Sequence, residues 1–337
     1  LGDTVLSSSL YAALKAWRPD LQVFVLVESP NDEVLRNNPD VNQVISISDL
    51  HNSGLGRPSV RFATLKTIRA MHFDSCINLH GGSTSAWLTA LSGAKYRVGL
   101  ESYRVRFAYN LKIEVPPGKS AGEKRHTLEY QIAWLRCLGL PEGPIPPLRV
   151  VPDSSLRVVS RKKLLAAGLD PTQDYAVIQP ASRFHTKEWT AEGFAEVADD
   201  LREQHGIQVV LVAGQNEAMK MERVAEHCRF SPILLRGTSI SELIWVIQGA
   251  RIFIGNDSGP THVAAALQVP VVVLFGSSDS QIWYPWRVPC RIVQNDFDCN
   301  PCPGYRCLVY DEPRCILSIA PEQVKAAVND LLNVSLR

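Results

Sequence analysis

Phe253-Ile254-Gly255-Asn256-Asp257-Ser258-Gly259-Pro260-Thr261-His262 runs from an apolar stretch of strand length through a tight polar turn. Val263-Ala264-Ala265-Ala266-Leu267 follows at helix length, and then a second apolar stretch, Pro270 to Phe275. The order strand, turn, helix, strand is the repeating unit of a parallel sheet. Ser258 or Asp257 is placed to cap the helix, Gly259 lets a ligand approach the backbone, and Pro260 suits the first helical turn. Unpaired N–H groups and the positive end of the helix dipole then favour a phosphate, and a pyrophosphate is the natural guest. An ordinary cap accounts for Ser-Gly-Pro but leaves Asp257 and His262 beside it unexplained, so the turn is read as functional.

The same alternation extends in both directions. Strands are predicted at 22–27, 43–47, 75–79, 175–179, 208–213, 252–255 and 270–275, with helices at 5–17, 60–71, 83–91, 127–138, 190–204, 217–228, 240–248, 260–267 and 321–332. This is an α/β pattern of parallel sheets covered by helices. Between Leu140 and Pro152 five prolines fall in PEGPIPPLRVVP, the chemistry of a stiff linker. A domain boundary is placed there, giving 1–150, 151–320 and a C-terminal helix at 321–337. Two such domains are expected to face each other across a central cleft and to bind ligands at the carboxyl ends of their strands.

Composition narrows the class. The 337 residues are 45% hydrophobic and 20% charged, which suits two globular domains and excludes disorder, collagen and coiled coil. No apolar run approaches the about 18 residues that span a bilayer. Net charge is +1, with 17 Lys+Arg against 13 Asp+Glu up to Val150 and 18 against 21 beyond it. That lean is too weak for nucleic acid but suits an anionic small or lipid-linked partner in the first domain. There is no signal peptide pattern, and a strand is expected ahead of Leu1. Eight cysteines are too few for a disulfide scaffold, which fits a cytoplasmic address. Cys299, Cys302, Cys307 and Cys315 bunch in a loop with several prolines, where three readings stay open: a structural zinc site, local disulfides, or reduced thiols packed beneath Tyr305 and Tyr310.

Three further stretches carry chemistry. Asp3, after Gly2 and at the start of a helix, is either an N-cap or a general base for an acceptor hydroxyl, and the local pattern favours the cap. Ser182, Arg183, Thr186 and Lys187 follow the first strand of the second domain, and their cations and hydroxyls suit a leaving diphosphate, with Trp189 tucked under the next helix as the bland alternative. Asn216 or Glu217, after the strand at 208–213, suits a ribose or base.

These residues together resemble glycosyltransferase family nine, the ADP-heptose:lipopolysaccharide heptosyltransferases of Gram-negative bacteria. The resemblance rests on Gly2-Asp3, Asn78 to Ser85, His126 ahead of Leu138-Gly139-Leu140, Lys187-Glu188-Trp189, and above all Asp257 to His262 through Pro270 to Gly276. It implies a GT-B fold of two Rossmann-like domains and an inverting transfer with no cofactor or metal required for catalysis. It also implies an ADP-sugar donor on the second domain and an anionic lipid-linked glycan acceptor on the first, at the cytoplasmic face of the inner membrane through a peripheral contact. By position Asp3 matches the base, Lys187 the phosphate-binding lysine, and Asp257, Ser258, Gly259 and His262 the donor motif. The family often has Arg before Ser in the first-domain loop, whereas this chain has Gly82-Ser83-Thr84-Ser85. Acceptor charge is then expected to be met by Arg57, Arg61, Arg97, Arg104 or Arg106, with His80 and His126. Thr190 stands where the family often has Pro, as a helix cap. The rival readings are a nucleotide-sugar epimerase of the same architecture and a noncatalytic nucleotide-sugar or glycan binder.

Overall fold

The computed structural model describes residues 1–47, 57–114, 124–214, 216–302 and 304–334. Contacts gather the chain into two units, one of Leu10–Asp32 and Asp40–Pro146, the other of Leu1–Ser9, Glu33–Pro39 and Pro147–Arg337. The last passage between them falls between Pro146 and Pro147, inside the proline-rich stretch.

The N-terminal unit holds strands β1 (Phe24–Glu28), β2 (Gln43–Ile47), β3 (Ser75–Ile77), β4 (Tyr96–Leu100) and β5 (Leu111–Ile113). β1 and β2 pair in parallel, and β3, β4 and β5 form a second parallel sheet in that order. Helix α1 (Gly2–Leu6) lies wholly in the other unit, and α2 (Ser8–Trp17) enters this one from Leu10. Helices α3 (Arg57–Ala70), α4 (Ser83–Leu91) and α5 (Thr127–Cys137) complete it.

The C-terminal unit carries helices α6 (Arg157–Ala166), α7 (Ala191–His205), α8 (Ala218–His227), α9 (Ile240–Gln248) and α10 (Gly259–Ala266), then the short α11 (Ser280–Trp283) and α12 (Arg314–Leu317), and α13 (Pro321–Val334). They surround β6 (Tyr175–Gln179), β7 (Gln208–Val212), β8 (Ile233–Leu235), β9 (Ile252–Asn256), β10 (Val271–Leu274) and β11 (Cys290–Val293). These six strands form one parallel sheet in the order β11-β10-β9-β6-β7-β8. β6, β9 and β10 are buried along their whole length, as strands covered on both faces must be, and their unbroken apolar runs make them legible. From β6 the chain builds outward through β7 and β8, then returns to β6's other side to lay down β9, β10 and β11. The sheet therefore reverses between β6 and β9, and the crevice beyond their carboxyl ends is where such sheets bind ligands.

Helix α7 illustrates how sequence sets an element. The Thr190 side chain caps it by accepting from Gly193 N at 3.1 Å, as expected for that residue, and Gly206 closes it in the left-handed region at φ 64°. Phe194, Val197, Ala198 and Leu201, spaced for one helical face, are buried against the sheet. Trp189, just ahead, is buried with its ring edge-on to Phe194 at 5.0 Å and its Nε1 donating to Ile319 O at 3.0 Å. Among the described residues no helix is long and apolar enough to cross a membrane.

Candidate active site

The turn after β9 lies at the point where the sheet reverses, and the loop after β6 lies beside it. Asn256, fully buried at the end of β9, ties the two together. Its Nδ2 donates to Pro180 O at 2.8 Å and its Oδ1 accepts from Trp189 N at 3.2 Å, so one amide fixes both ends of the loop 180–189. Ser258 occupies the N-cap position of α10 but does not cap it. Its hydroxyl donates instead to Gln179 Oε1 at 3.0 Å. Asp257 does not cap it either, because its buried carboxylate accepts from Lys187 Nζ at 2.6 Å and from Ser278 Oγ at 2.5 Å. The sequence expectation of a side-chain cap is thus corrected: both candidates are held by neighbouring loops, and α10 begins with Gly259 and Pro260 and no side-chain cap bond among the described residues.

Lys187 is correspondingly an ion-pair partner in this structure, a buried aspartate's counter-ion, with only 20% of its side chain exposed. Arg183 lies over the Phe184 ring at 5.7 Å. Ser182 is buried with its N–H donating to Glu188 Oε1 at 3.0 Å and its carbonyl accepting from Lys220 Nζ at 3.1 Å. Lys220 also pairs with Glu188. Thr186 points away from this group. Its hydroxyl donates to Gly304 O at 2.5 Å and accepts from Ser277 Oγ at 3.0 Å, beneath the cysteine loop. Asn216 is exposed, while Glu217 is half-buried with a carboxylate oxygen accepting from Gly214 N at 3.3 Å, both just past the end of β7.

Helix α1 brings Asp3 to the same place. It packs on α10 so closely that a Cβ at Gly2 would stand 2.9 Å from the His262 ring and one at Gly259 would stand 2.6 Å from Leu1. Glycine is required at both contacts. Asp3 is the second residue of α1, exposed, with Leu1 at the N-cap and no capping bond, so the favoured cap reading is not what the structure gives. Asp3, Asp257 and Lys187 all act electrostatically on His262, which is buried with its Nδ1 lacking a partner among the described residues.

Burial pushes the His262 pKa below its ordinary 6.5, against the upward pull of Asp257 and Asp3. The unfolded chain therefore takes up this proton at a higher pH than the folded one. The stability that His262 contributes is complete above pH 6.5 and is lost as pH falls through that value toward the folded pKa. Acid unfolding of His262→Gln is expected to show a shallower loss of stability in that window, and an unchanged slope would remove His262 from the account.

The acceptor candidates lie in the N-terminal unit and divide by what holds them. Arg61 is exposed and donates to Thr84 Oγ1 at 3.2 Å, and Arg104 is exposed. His80 is exposed, its Nδ1 accepting from Gly82 N at 3.3 Å. The Arg97 guanidinium is engaged by the carbonyls of Ala108 and Ala94 at 3.1 and 3.2 Å, and Arg106 pairs with Glu101 at 2.5 Å. His126 is a buried helix cap: its Nδ1 accepts from Leu128 N at 3.2 Å, and Glu129 reaches back to its N–H at 2.8 Å. The Arg57 side chain lies outside the described residues.

Cys299, Cys302, Cys307 and Cys315 line one cavity of about 140 Å³ that Thr186 and Ser277 also face. All four thiols are free, which corrects the disulfide reading. Burial pushes the Cys315 thiol up, with Cys302, Cys299 and Cys307 adding to the rise. Among the described residues no group of three or more His, Cys, Asp or Glu is arranged to hold a metal.

Sequence reasoning did not single out Asn256, Gln179, Glu188, Lys220 or Ser278 as site residues. Asn256 and Glu188 sit inside motifs named above and Gln179 ends the strand predicted at 175–179, so their signal is adjacency to the strand ends.

Residues 61–311 match the family model described as glycosyltransferase family 9 (heptosyltransferase). Lipopolysaccharide heptosyltransferase 3 of Escherichia coli is 28% identical over 98% of this chain and 96% of its own, and the protein of the same name from strain K12 is 30% identical over 85% and 82%. Among solved structures, a family 9 glycosyl transferase from Veillonella parvula superposes with a TM-score of 0.85 at 22% identity over 99% of this chain and 95% of its own. The E. coli ADP-heptose lps heptosyltransferase II gives 0.81 at 21% over 100% and 97%. The fold is thereby α/β of the GT-B type.

Proposed function

The chain belongs to glycosyltransferase family 9, the heptosyltransferases, and from that premise we propose that it moves a heptose from ADP-heptose onto a hydroxyl of a lipopolysaccharide inner-core sugar. The observation that carries the reading is the convergence of Asp3, Asp257, Lys187 and His262 at the open N-terminus of α10, where the sheet reverses. The donor diphosphate sits at that N-terminus, with Lys187 and Arg183 supplying cations and Glu217 or Asn216 reaching the ribose. Asp3, exposed and with no side-chain hydrogen bond among the described residues, takes the proton from the acceptor hydroxyl as it attacks the anomeric carbon. Negative charge then grows on the departing diphosphate, where preorganised donors act most strongly, each worth about 3 kcal/mol. Arg61, Arg104, Arg106 and His80 are the acceptor candidates that remain exposed, Arg106 while paired with Glu101. The acceptor is lipid-linked, so the chain works in peripheral contact with the cytoplasmic face of the inner membrane.

Incubation of the full-length protein with ADP-heptose and a panel of truncated core acceptors tests the transfer. ADP release that depends on an acceptor is the expected result. A changed nucleotide sugar formed without acceptor points to an epimerase, and binding without turnover on every acceptor points to a binding protein.

A structural zinc in the cysteine loop is a separate part of the proposal. It requires the loop 299–315 to draw its four thiols in to about 2.3 Å from the ion, around the cavity that they already share. The Tyr310 N–H donates to Cys307 Sγ at 3.4 Å. Protein purified without chelator is expected to carry about one zinc per chain. Absence of zinc, with all four thiols free to titrate, overturns this part and leaves the transfer chemistry as it stands.

A further inference from the structure

In the N-terminal unit, helix α4 and the single 3-10 turn Arg106–Ala108 meet through small residues. Ala86 and Ala108 are fully buried against each other's element together with Tyr109. This close approach leaves the large neighbours, Trp87 and Phe107, side by side on the outside, rings edge-to-face with centroids 5.2 Å apart. Both stay in water: Trp87 is 52% exposed, Phe107 65%, and Leu91, one turn beyond Trp87 on the same face of α4, 43%. Apolar groups this large have no packing role where they stand, and a cluster of them marks a contact surface.

The charge around the cluster says what it contacts. From Arg61 to Lys112 there are eight Lys+Arg and two Asp+Glu, in a chain whose net charge is +1, so the excess is local. Arg61 donates to Thr84, which lies one turn before Trp87 on α4, placing a guanidinium on the same helix face as the aromatic ring. Arg104 and Arg106 precede Phe107 in the chain, Arg106 paired with Glu101. Exposed aromatic rings with cations near them suit a bilayer interface, where the rings enter the headgroup region and the cations meet anionic lipid.

We propose that Trp87, Leu91 and Phe107, with Arg61 and Arg104 beside them, are the surface by which this unit docks on an anionic lipid bilayer. This names the surface for the membrane contact proposed above. It is tested without donor or acceptor, so its failure and that of the transfer reading are distinguishable. The full chain is expected to co-sediment with vesicles of equal parts phosphatidylcholine and phosphatidylglycerol, much less with phosphatidylcholine alone, and to be released by salt. Trp87→Ser with Phe107→Ser should weaken binding by about tenfold or more, and Arg61→Glu by a similar factor. Quenching of tryptophan fluorescence by brominated lipid should fall in Trp87→Phe, a variant that keeps an aromatic ring in place. Equal binding to neutral vesicles, undiminished binding by the double variant, or unchanged quenching in Trp87→Phe overturns the proposal. Binding only when a core glycolipid is present overturns it as well, since the surface would then serve acceptor capture.

Discussion

Asp3→Asn is expected to lower kcat by about a hundredfold or more while the affinity for ADP changes by less than about threefold. The substitution keeps the size and shape of the side chain and removes only the group that can accept a proton. Asp3 makes no capping bond at the start of α1, and it is exposed, so the change costs the fold little. The site that the proposal gives to the diphosphate is built by other elements, the loops after β6 and β9 and the N-terminus of α10, and they are untouched. Turnover measured with saturating ADP-heptose, alongside calorimetric titration with ADP, separates the two quantities. Retained turnover would remove Asp3 from the chemistry. A parallel loss of ADP affinity would instead make it part of the donor site.

Lys187→Ala is expected to reduce kcat/KM by about a hundredfold to a thousandfold, because it removes a preorganised cation from the growing charge on the diphosphate. It also strips Asp257 of its counter-ion. The carboxylate is 7% exposed and keeps only the Ser278 hydroxyl among its bonds described above. Breaking a buried pair by deleting one partner costs about 3–5 kcal/mol, and with a fifth of the Lys187 side chain in solvent a loss nearer about 2 kcal/mol is expected. The double variant Lys187→Ala with Asp257→Asn distinguishes the two effects. It should recover much of the stability, since no charge is left stranded, and little of the activity. Recovery of both would mean that Lys187 serves the fold alone, and full activity in the single variant would place it outside the reaction.

Much of this was legible in the chain, for reasons that differ by element. β2, β6, α4 and α9 have the bounds that the apolar pattern predicts; in β6 the continuous run is buried along its whole length, whereas β2, exposed or half-buried throughout, is marked by its β-branched residues and α4 leaves Trp87 and Leu91 exposed. β4, the three-residue β5, β8 and β11 were missed. β4 begins Tyr-Arg and exposes its first residue, β8 is three residues long, and β11 alternates Cys-Arg-Ile-Val with only its last residue buried. Helix α6 was missed because Arg157, Val158, Val159 and the basic run after them show little beyond a narrow buried stripe at Ser160 and Leu164. Within the site, the turn after β9 was legible because its residues are contiguous. The pairing of Lys187 with Asp257 spans 70 residues and was not, and a span of 118 residues hid the bond from the Thr186 hydroxyl to Gly304 O. His126 shows the opposite error. The family resemblance puts it among the acceptor residues, and three positions on stands Glu129, the signature of the reciprocal cap that it makes.

The packing of α1 on α10 bears on how such a protein can be recombined. A crossover in the proline-rich stretch looks like a clean exchange of halves, yet residues 1–9 and 33–39 fold with what lies beyond Pro147. A hybrid joined there would set one parent's Gly2 and Asp3 against the other parent's Gly259 and His262, across a contact that tolerates no added side-chain carbon. Inheritance of the C-terminal half alone is therefore not inheritance of a working centre. The two short N-terminal segments have to travel with it, and lineages that shuffled at the linker would carry matched changes at positions more than 250 residues apart in the chain.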